Sequence, residues 1–161
     1  MLFRSGGNLH WGKIDGSQVV CVCSIASANG IAFAPNGKTL YVVSSQLGKV
    51  VSVEVNGPGE IDRRADGAAI VKTVADFPGA RFDSMGMEAD GTLVVGTLFT
   101  GCLTLITPQG KLRDRVYLPD TFVTNVTFGG PGLRTAYATM TRVGKLAAIA
   151  WPRPGLKLVN Y

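Results

Sequence analysis

Apolar and polar residues alternate along most of the chain, in short segments separated by turns. The segment from Gly48 to Val55 shows the pattern, because Val51, Val53 and Val55 alternate with Val50, Ser52 and Glu54. A two-residue period places successive side chains on opposite faces of a β-strand. No segment shows the 3.6-residue period of an amphipathic helix. The pattern therefore predicts an all-β protein.

A strand–turn–strand unit recurs within this pattern, and its three copies begin near Asn29, Asp83 and Asn125. The first copy turns at residues 35–37, a Pro-Asn-Gly sequence that is typical of tight turns. The copies are separated by 54 residues (29 to 83) and 42 residues (83 to 125), which bracket the repeat length of a four-stranded propeller blade. Such units stack around an axis, because each buries a face that it could not bury alone. The repeats therefore predict a β-propeller.

The expected domain organisation is a single partial propeller over residues 1–161. It comprises about three and a half antiparallel blades, namely a half blade at 8–24 and four-stranded blades at 28–77, 82–118 and 122–160. The stretch 56–67 has no apolar period and is expected to be an exposed connection. Because closed propellers carry at least four blades, the ring is not expected to close within this chain. The chain is then a fragment, or a second chain completes the ring, or the end strands pair with a partner.

Composition excludes several classes of protein. A hydrophobic fraction of 46% and a charged fraction of 17% exclude general disorder, and 21 glycines with 8 prolines fit many turns. The net charge of +5 is dispersed and not interleaved with aromatic residues, so no nucleic-acid partner is expected. Without a signal-like or membrane-spanning apolar run, a cytoplasmic protein with no membrane partner is expected. The three cysteines are expected to be buried thiols.

Three stretches carry a resemblance to a known family. They are residues 29–42 (NGIAFAPNGKTLYV), residues 82–93 (FDSMGM followed by DGTL) and residues 118–130 (LP followed by TNVTFGG). They are similar to the senescence-marker-protein, gluconolactonase and luciferin-regenerating-enzyme family, which includes regucalcin. The resemblance implies blades of a six-bladed type of propeller. It covers nearly the whole chain, but only about the C-terminal half of a family member.

The resemblance also implies a site on the propeller axis, since family members hold one divalent metal and hydrolyse lactones. It implies that Asn29 and Asp83 are metal ligands and that Asp83 is also the catalytic general base. The family's other two ligands, a glutamate and an asparagine in earlier blades, have no counterpart in this chain. Phe82 and Ser84 replace the proline and glycine of the family's Pro-Asp-Gly motif. The implied site is therefore incomplete here.

The chemistry of the two residues fits a hard cation, because carboxylate and amide oxygens are the ligands that calcium prefers. Calcium is the expected ion, with zinc, manganese and magnesium as alternatives. Asn125 begins the third copy of the repeat and is expected to bind substrate, a small-molecule lactone. Without the resemblance, Asn29 would be interpreted as a turn residue and Asp83 as a strand-end cap.

Two functions stay open from the sequence. The first is a metal-dependent lactone hydrolase whose incomplete site is completed by a second chain or by sequence outside this one. The second is a non-catalytic truncated propeller that acts as an interaction or oligomerisation module, with a homodimer completing the propeller.

Overall fold

The computed structural model describes residues 7–158, and it is built almost entirely of β-strands. Within that range one 3₁₀ turn is present at Pro131–Leu133, and no helix is long and apolar enough to cross a membrane. The strands are β1 (Gly7–Gly12), β2 (Val19–Ile25), β3 (Ala28–Phe33), β4 (Thr39–Ser44), β5 (Lys49–Gly57), β6 (Glu60–Ile61), β7 (Lys72–Asp76), β8 (Arg81–Met87), β9 (Leu93–Leu98), β10 (Cys102–Ile106), β11 (Leu112–Tyr117), β12 (Val123–Gly129), β13 (Thr135–Met140) and β14 (Lys145–Ala150).

The strands pair antiparallel, mostly with strands adjacent in the chain, and this pairing divides them into consecutive sheets. β1 pairs with β2, and β3, β4, β5 and β7 follow one another across the next sheet, with β6 as a short extension on β5. β8 to β11 form a four-stranded sheet in chain order, and β12 to β14 form a three-stranded one. This series of antiparallel meanders is a partial β-propeller, as the repeats predict.

The core lies between consecutive sheets, in three layers of apolar side chains. The middle layer joins residues such as Val43 and Val50 to Phe82 and Leu93 of the following sheet, and all four are at most 1% exposed. A sheet in the middle of the stack is covered on both faces, so β4 is apolar at Leu40–Val43 rather than strictly alternating. Each fully buried valine of these layers contributes roughly 1.5–3 kcal/mol to the free energy of unfolding.

Turn chemistry predicted from the sequence is present in the first hairpin. The side-chain oxygen of Asn36 accepts hydrogen bonds from the backbone N–H groups of Lys38 and Thr39, at 2.9 and 3.0 Å. Gly37 has a φ of 66°, a left-handed conformation that favours glycine. The side chain and the glycine together fix the connection between β3 and β4.

The predicted exposed connection at residues 56–67 is wrong in part. β5 continues to Gly57 and turns back through Gly59, whose φ is 76°, into β6. Ile61 of β6 is buried against the layer between the first two sheets. The apolar pattern does not predict β6, because a strand of two residues is too short to show a period.

The fourth strand expected at residues 156–160 is not seen, since residues 156–158 form no strand and residues 159–160 lie outside the described range. The expectation of buried cysteines holds for Cys102, whereas Cys21 is exposed and Cys23 is half-buried. Both belong to the two-stranded sheet at the start of the described range, which is covered on one face by the following sheet.

Candidate functional site

Three strands that begin consecutive sheets lie side by side, β8 between β3 and β12, and we call them the inner strands. Each has a β-bulge close to its start. In β3 the pairing passes from Ala28 opposite Ser44 to Ile31 opposite Val42, so two residues, Asn29 and Gly30, face one residue of β4. A bulge of this kind turns a side chain away from the regular alternation and is frequent beside functional sites.

The same irregularity occurs in β8. Phe82 pairs with Thr97 and Met85 pairs with Val95, which leaves Asp83 and Ser84 opposite a single residue of β9. Asn29 and Asp83 are therefore at equivalent positions of neighbouring inner strands. The repeat and the resemblance selected these two residues, and the register of the sheets places them on the same edge.

The two side chains are in contact, although 54 residues separate them in sequence. The side-chain nitrogen Nδ2 of Asn29 donates a hydrogen bond to Oδ1 of Asp83 at 2.7 Å. Such a short distance between strands of different sheets requires a close approach of their backbones. Gly30 permits it, because a Cβ at that position would lie 2.7 Å from the carbonyl oxygen of Asp83 and 2.9 Å from Cα of Ser84.

The environment of Asp83 favours its neutral form more than water does. Burial of the half-buried side chain raises the pKa of the Asp83 carboxyl above its usual range, and the hydrogen bond from Asn29 lowers that pKa in part. A carboxylate with a raised pKa is a stronger base than an ordinary aspartate. Asp83 thus combines partial burial, one defined hydrogen-bond partner and basic character.

The pair fits part of a site for a hard cation. Rotation of the Asn29 amide by half a turn exchanges its nitrogen and oxygen, so that both residues present oxygen atoms to one position. Calcium takes six to eight such oxygens, and two side chains supply only some of them. Within residues 7–158 no group of three or more His, Cys, Asp or Glu side chains could hold a metal.

Asn125 occupies a different position in the third inner strand. The pairing of β12 passes from Val123 opposite Met140 to Asn125 opposite Thr139, so the extra residue of the bulge is Thr124. Asn125 is exposed, and its Oδ1 accepts a hydrogen bond from the backbone N–H of its neighbour Val126 at 2.8 Å. Its role in substrate binding stays a prediction.

Thr124 has the register position that Asn29 and Asp83 have in their strands, and the sequence analysis did not select it. A signal was present, because the first bulged residue follows a fully buried apolar residue in both later copies. These pairs are Phe82-Asp83 and Val123-Thr124. Alignment on the apolar residue, rather than on the amide or carboxylate, would have found Thr124.

Beyond the bulges, the second halves of the inner strands line an apolar cavity of about 150 Å³. Its walls include Ile31, Phe33, Met85, Met87, Val126 and Phe128, together with Leu156 and Leu158 from the segment after β14. Ile31 and Phe33 are 50% and 45% exposed. The inner strands therefore have a polar end, where Asn29 and Asp83 meet, and an apolar end.

A buried ionic cluster that no sequence pattern predicts holds the segment after β14 in place. Glu88 is fully buried at the end of β8 and accepts a hydrogen bond from Nε1 of Trp151 at 2.7 Å. Arg153 donates to both carboxylate oxygens of Glu88, from Nε at 2.5 Å and from an NH₂ group at 2.8 Å. This bidentate pair and the tryptophan hold residues 151–153 against the end of an inner strand.

The fold and the polar inner edge define a segment of a β-propeller with oxygen-bearing side chains at one end of its inner strands. The sequence model of the family described as "SMP-30/Gluconolactonase/LRE-like region" matches residues 4–142. The chain belongs to this family, which confirms the resemblance seen in the sequence.

Relatives of known name agree with this assignment. The chain is 25% identical over 154 residues to a 6-deoxy-6-sulfogluconolactonase of Pseudomonas putida, a match that covers 94% of this chain and 52% of that protein. It thus spans about half the length of this curated relative. A solved luciferin-regenerating enzyme is 27% identical with a TM-score of 0.69, and the match covers 85% of this chain and 45% of that one.

A second solved structure supports the fold. The calcium-binding protein regucalcin of Agrobacterium tumefaciens is 18% identical, with a TM-score of 0.70, and the match covers 89% of this chain and 54% of that one. At this identity the likeness concerns the fold alone.

Proposed function

We propose that this chain forms part of a metal-dependent lactone hydrolase, with calcium as the foremost candidate ion. The observation that carries the proposal is the 2.7 Å contact between Asn29 and Asp83 at equivalent bulges of two inner strands. Membership of the gluconolactonase family and the relative named as a sulfogluconolactonase support the choice of a lactone as substrate. The partner is thus a small molecule, and the cytoplasmic location and the lack of a nucleic-acid partner stay predictions.

Asn29 and Asp83 would hold the cation through their side-chain oxygens, with zinc, manganese or magnesium as alternatives to calcium. When bound, a divalent cation supplies Lewis-acid polarisation of the lactone carbonyl. The remaining oxygen ligands would come from a second chain or from sequence outside this one, because the chain spans about half of its curated relative.

Asp83 has the character of the general base. Its carboxylate accepts a proton from the water that attacks the lactone carbonyl carbon. The ring C–O bond then breaks, and the carbonyl carbon becomes that of a carboxylic acid. The released alkoxide takes the proton held by Asp83 to become a hydroxyl, which restores the Asp83 carboxylate.

The test compares Asp83→Asn with Asp66→Asn, a change at an exposed turn aspartate. Calcium binding is measured by calorimetry, and hydrolysis of glucono-δ-lactone is measured by base uptake at constant pH. Loss of a general base lowers kcat by about 10²- to 10⁴-fold, so we expect a loss of this size for Asp83→Asn and none for Asp66→Asn. Equal metal binding and equal rates in the two variants, or a wild-type protein that neither binds metal nor opens the lactone, would contradict the proposal.

A second candidate is a non-catalytic propeller segment that acts as an interaction or oligomerisation module, with a homodimer that completes the ring. It is favoured by the apolar residues that the inner strands expose, Ile31 and Phe33, and by Leu146 of the edge strand β14, which is 64% exposed. Light scattering separates the alternatives, because closure by a second copy gives twice the 16.9 kDa mass of one chain. A well-folded monomer at high concentration argues against the homodimer.

A further inference from the structure

A cluster of three threonine hydroxyls lies where β12 begins and β13 ends, in the sheet of β12 to β14. Oγ1 of Thr124 lies 2.7 Å from Oγ1 of Thr139 and 2.8 Å from Oγ1 of Thr141. Thr124 is half-buried in β12, whereas Thr139, near the end of β13, and Thr141, in the turn after it, are exposed. Thr124 therefore joins two accessible hydroxyls into one polar surface.

The cluster retains hydrogen-bonding capacity for a ligand. Each threonine hydroxyl has one proton to donate and two lone pairs that accept. The two bonds within the cluster use two of the three protons, so one proton and several lone pairs remain. A group that both donates and accepts, such as an alcohol, is the natural complement of such a surface, whereas a purely anionic or apolar group is not.

The position of the cluster relative to Asp83 is fixed by backbone packing. Gly96 of β9 lies opposite the Asp83 bulge, between the partners of Phe82 and Met85. A Cβ on Gly96 would lie 2.9 Å from both the carbonyl carbon and the carbonyl oxygen of Thr124. The start of β12 is thus packed directly against the strand that carries the bulge partner of Asp83, and Asn29, Asp83 and Thr124 follow one another along one edge.

We propose that Thr124, supported by Thr139 and Thr141, binds a hydroxyl group of the lactone and so determines specificity for polyhydroxylated, sugar-type lactones. This inference rests on the proposed lactonase function. It assigns the recognition role to Thr124, because Thr124 has the register position of Asn29 and Asp83 and contributes to a hydroxyl surface. The side-chain oxygen of Asn125, by comparison, is engaged by the backbone of Val126.

The experiment uses Thr124→Val, which removes the hydroxyl and keeps the side-chain shape, and Thr124→Ser, which keeps the hydroxyl. Thr73→Val, at an exposed threonine of the outer strand β7, is the matched control. Hydrolysis of glucono-δ-lactone is compared with hydrolysis of δ-valerolactone, which has no hydroxyl groups. Binding of gluconate, the hydroxylated product, is measured by calorimetry for each variant.

We expect Thr124→Val to raise KM for glucono-δ-lactone and to weaken gluconate binding, each by about three- to tenfold, the effect of one hydrogen bond. Kinetics on δ-valerolactone should not change, kcat should change little, and Thr124→Ser should restore most of the binding. Thr73→Val should match the wild type.

Several outcomes would overturn the inference. One is equal gluconate binding by Thr124→Val and the wild type, and another is an Asn125→Ala variant that weakens binding when Thr124→Val does not. A third is a wild-type protein that does not bind gluconate at all. If hydrolysis depends on Asp83 but not on Thr124, only this inference fails. If the wild type binds gluconate through Thr124 but opens no lactone, only the proposed hydrolase function fails.

Discussion

Replacement of Gly30 by alanine tests whether close packing of the inner strands creates the Asn29–Asp83 contact. A Cβ at this position would meet three backbone atoms of β8 at 2.7 to 2.9 Å. Backbone atoms cannot move aside as the end of a flexible side chain can, so β3 must shift away from β8. Gly30 is buried in a strand and has no left-handed φ, so conformational strain does not contribute to the effect.

The expected cost follows from these contacts. Overpacking of this kind costs about 1–3 kcal/mol, partly offset by the roughly 0.4–1 kcal/mol that Gly→Ala gains through a less flexible unfolded chain. We therefore expect Gly30→Ala to lower the free energy of unfolding by about 1–2 kcal/mol. For a chain of this length that corresponds to a decrease in Tm of roughly 2–8 °C. Calcium binding should weaken as well, because the Asn29 and Asp83 side chains move apart.

Gly12→Ala is the matched control, since Gly12 also lies in a strand and a Cβ there would be 3.4 Å from its nearest neighbour, an ordinary distance. This variant should be as stable as the wild type or slightly more stable. Urea denaturation gives the free energies of unfolding, and calorimetry gives calcium affinity. If Gly30→Ala and Gly12→Ala unfold at the same urea concentration and bind calcium equally, close backbone packing is not what positions the site.

Two further predictions concern the charges that stabilise the fold. Glu88→Gln leaves Arg153 without its bidentate partner and should cost about 2–4 kcal/mol, because a largely buried ion pair is broken. The exposed ion pair of Lys49 and Asp76 is the control, and Asp76→Asn should cost less than about 1 kcal/mol. Equal urea midpoints for Glu88→Gln and Asp76→Asn would contradict the expected difference between a buried and an exposed ion pair. Burial raises the pKa of Asp120, but hydrogen bonds from backbone N–H groups outweigh it and hold that pKa below its usual range. The stability that Asp120 contributes is therefore present above about pH 4 and lost as the pH falls through the lowered value, so Asp120→Asn should flatten the acid side of a plot of Tm against pH.

Much of the fold could be predicted from local sequence. Hairpins formed where turn residues such as Asn36 and Gly37 separate alternating segments, since the pleat of a strand imposes the two-residue period and the turn imposes its own backbone angles. The short strand β6 was missed because Glu60 and Ile61 are too few to show any period. Local patterns thus located most of the strands. The predictions were wrong only for the shortest strand, β6, and for the last segment, residues 156–158.

The candidate site depended less on local pattern. Asn29 and Asp83 were selected by a repeat and by resemblance to a family. Their hydrogen bond, however, requires the backbones of two sheets to approach so closely that only glycine fits at position 30. The sequence analysis chose Asn125 in the third inner strand because it begins the third copy of the repeat. The bulge gives that register position to Thr124, because a single extra residue shifts every partner that follows.

The sequence by itself determined that this chain is a series of antiparallel strands with turns between them, since period and turn chemistry act over only a few residues. Tertiary structure alone decided which side chains meet. The contact of Asn29 with Asp83, the hydroxyl cluster around Thr124 and the enclosure of Glu88 by Trp151 and Arg153 each join residues from different strands or segments. Such contacts depend on how closely backbones approach and where a register slips, and both are set by the packing of whole sheets against one another.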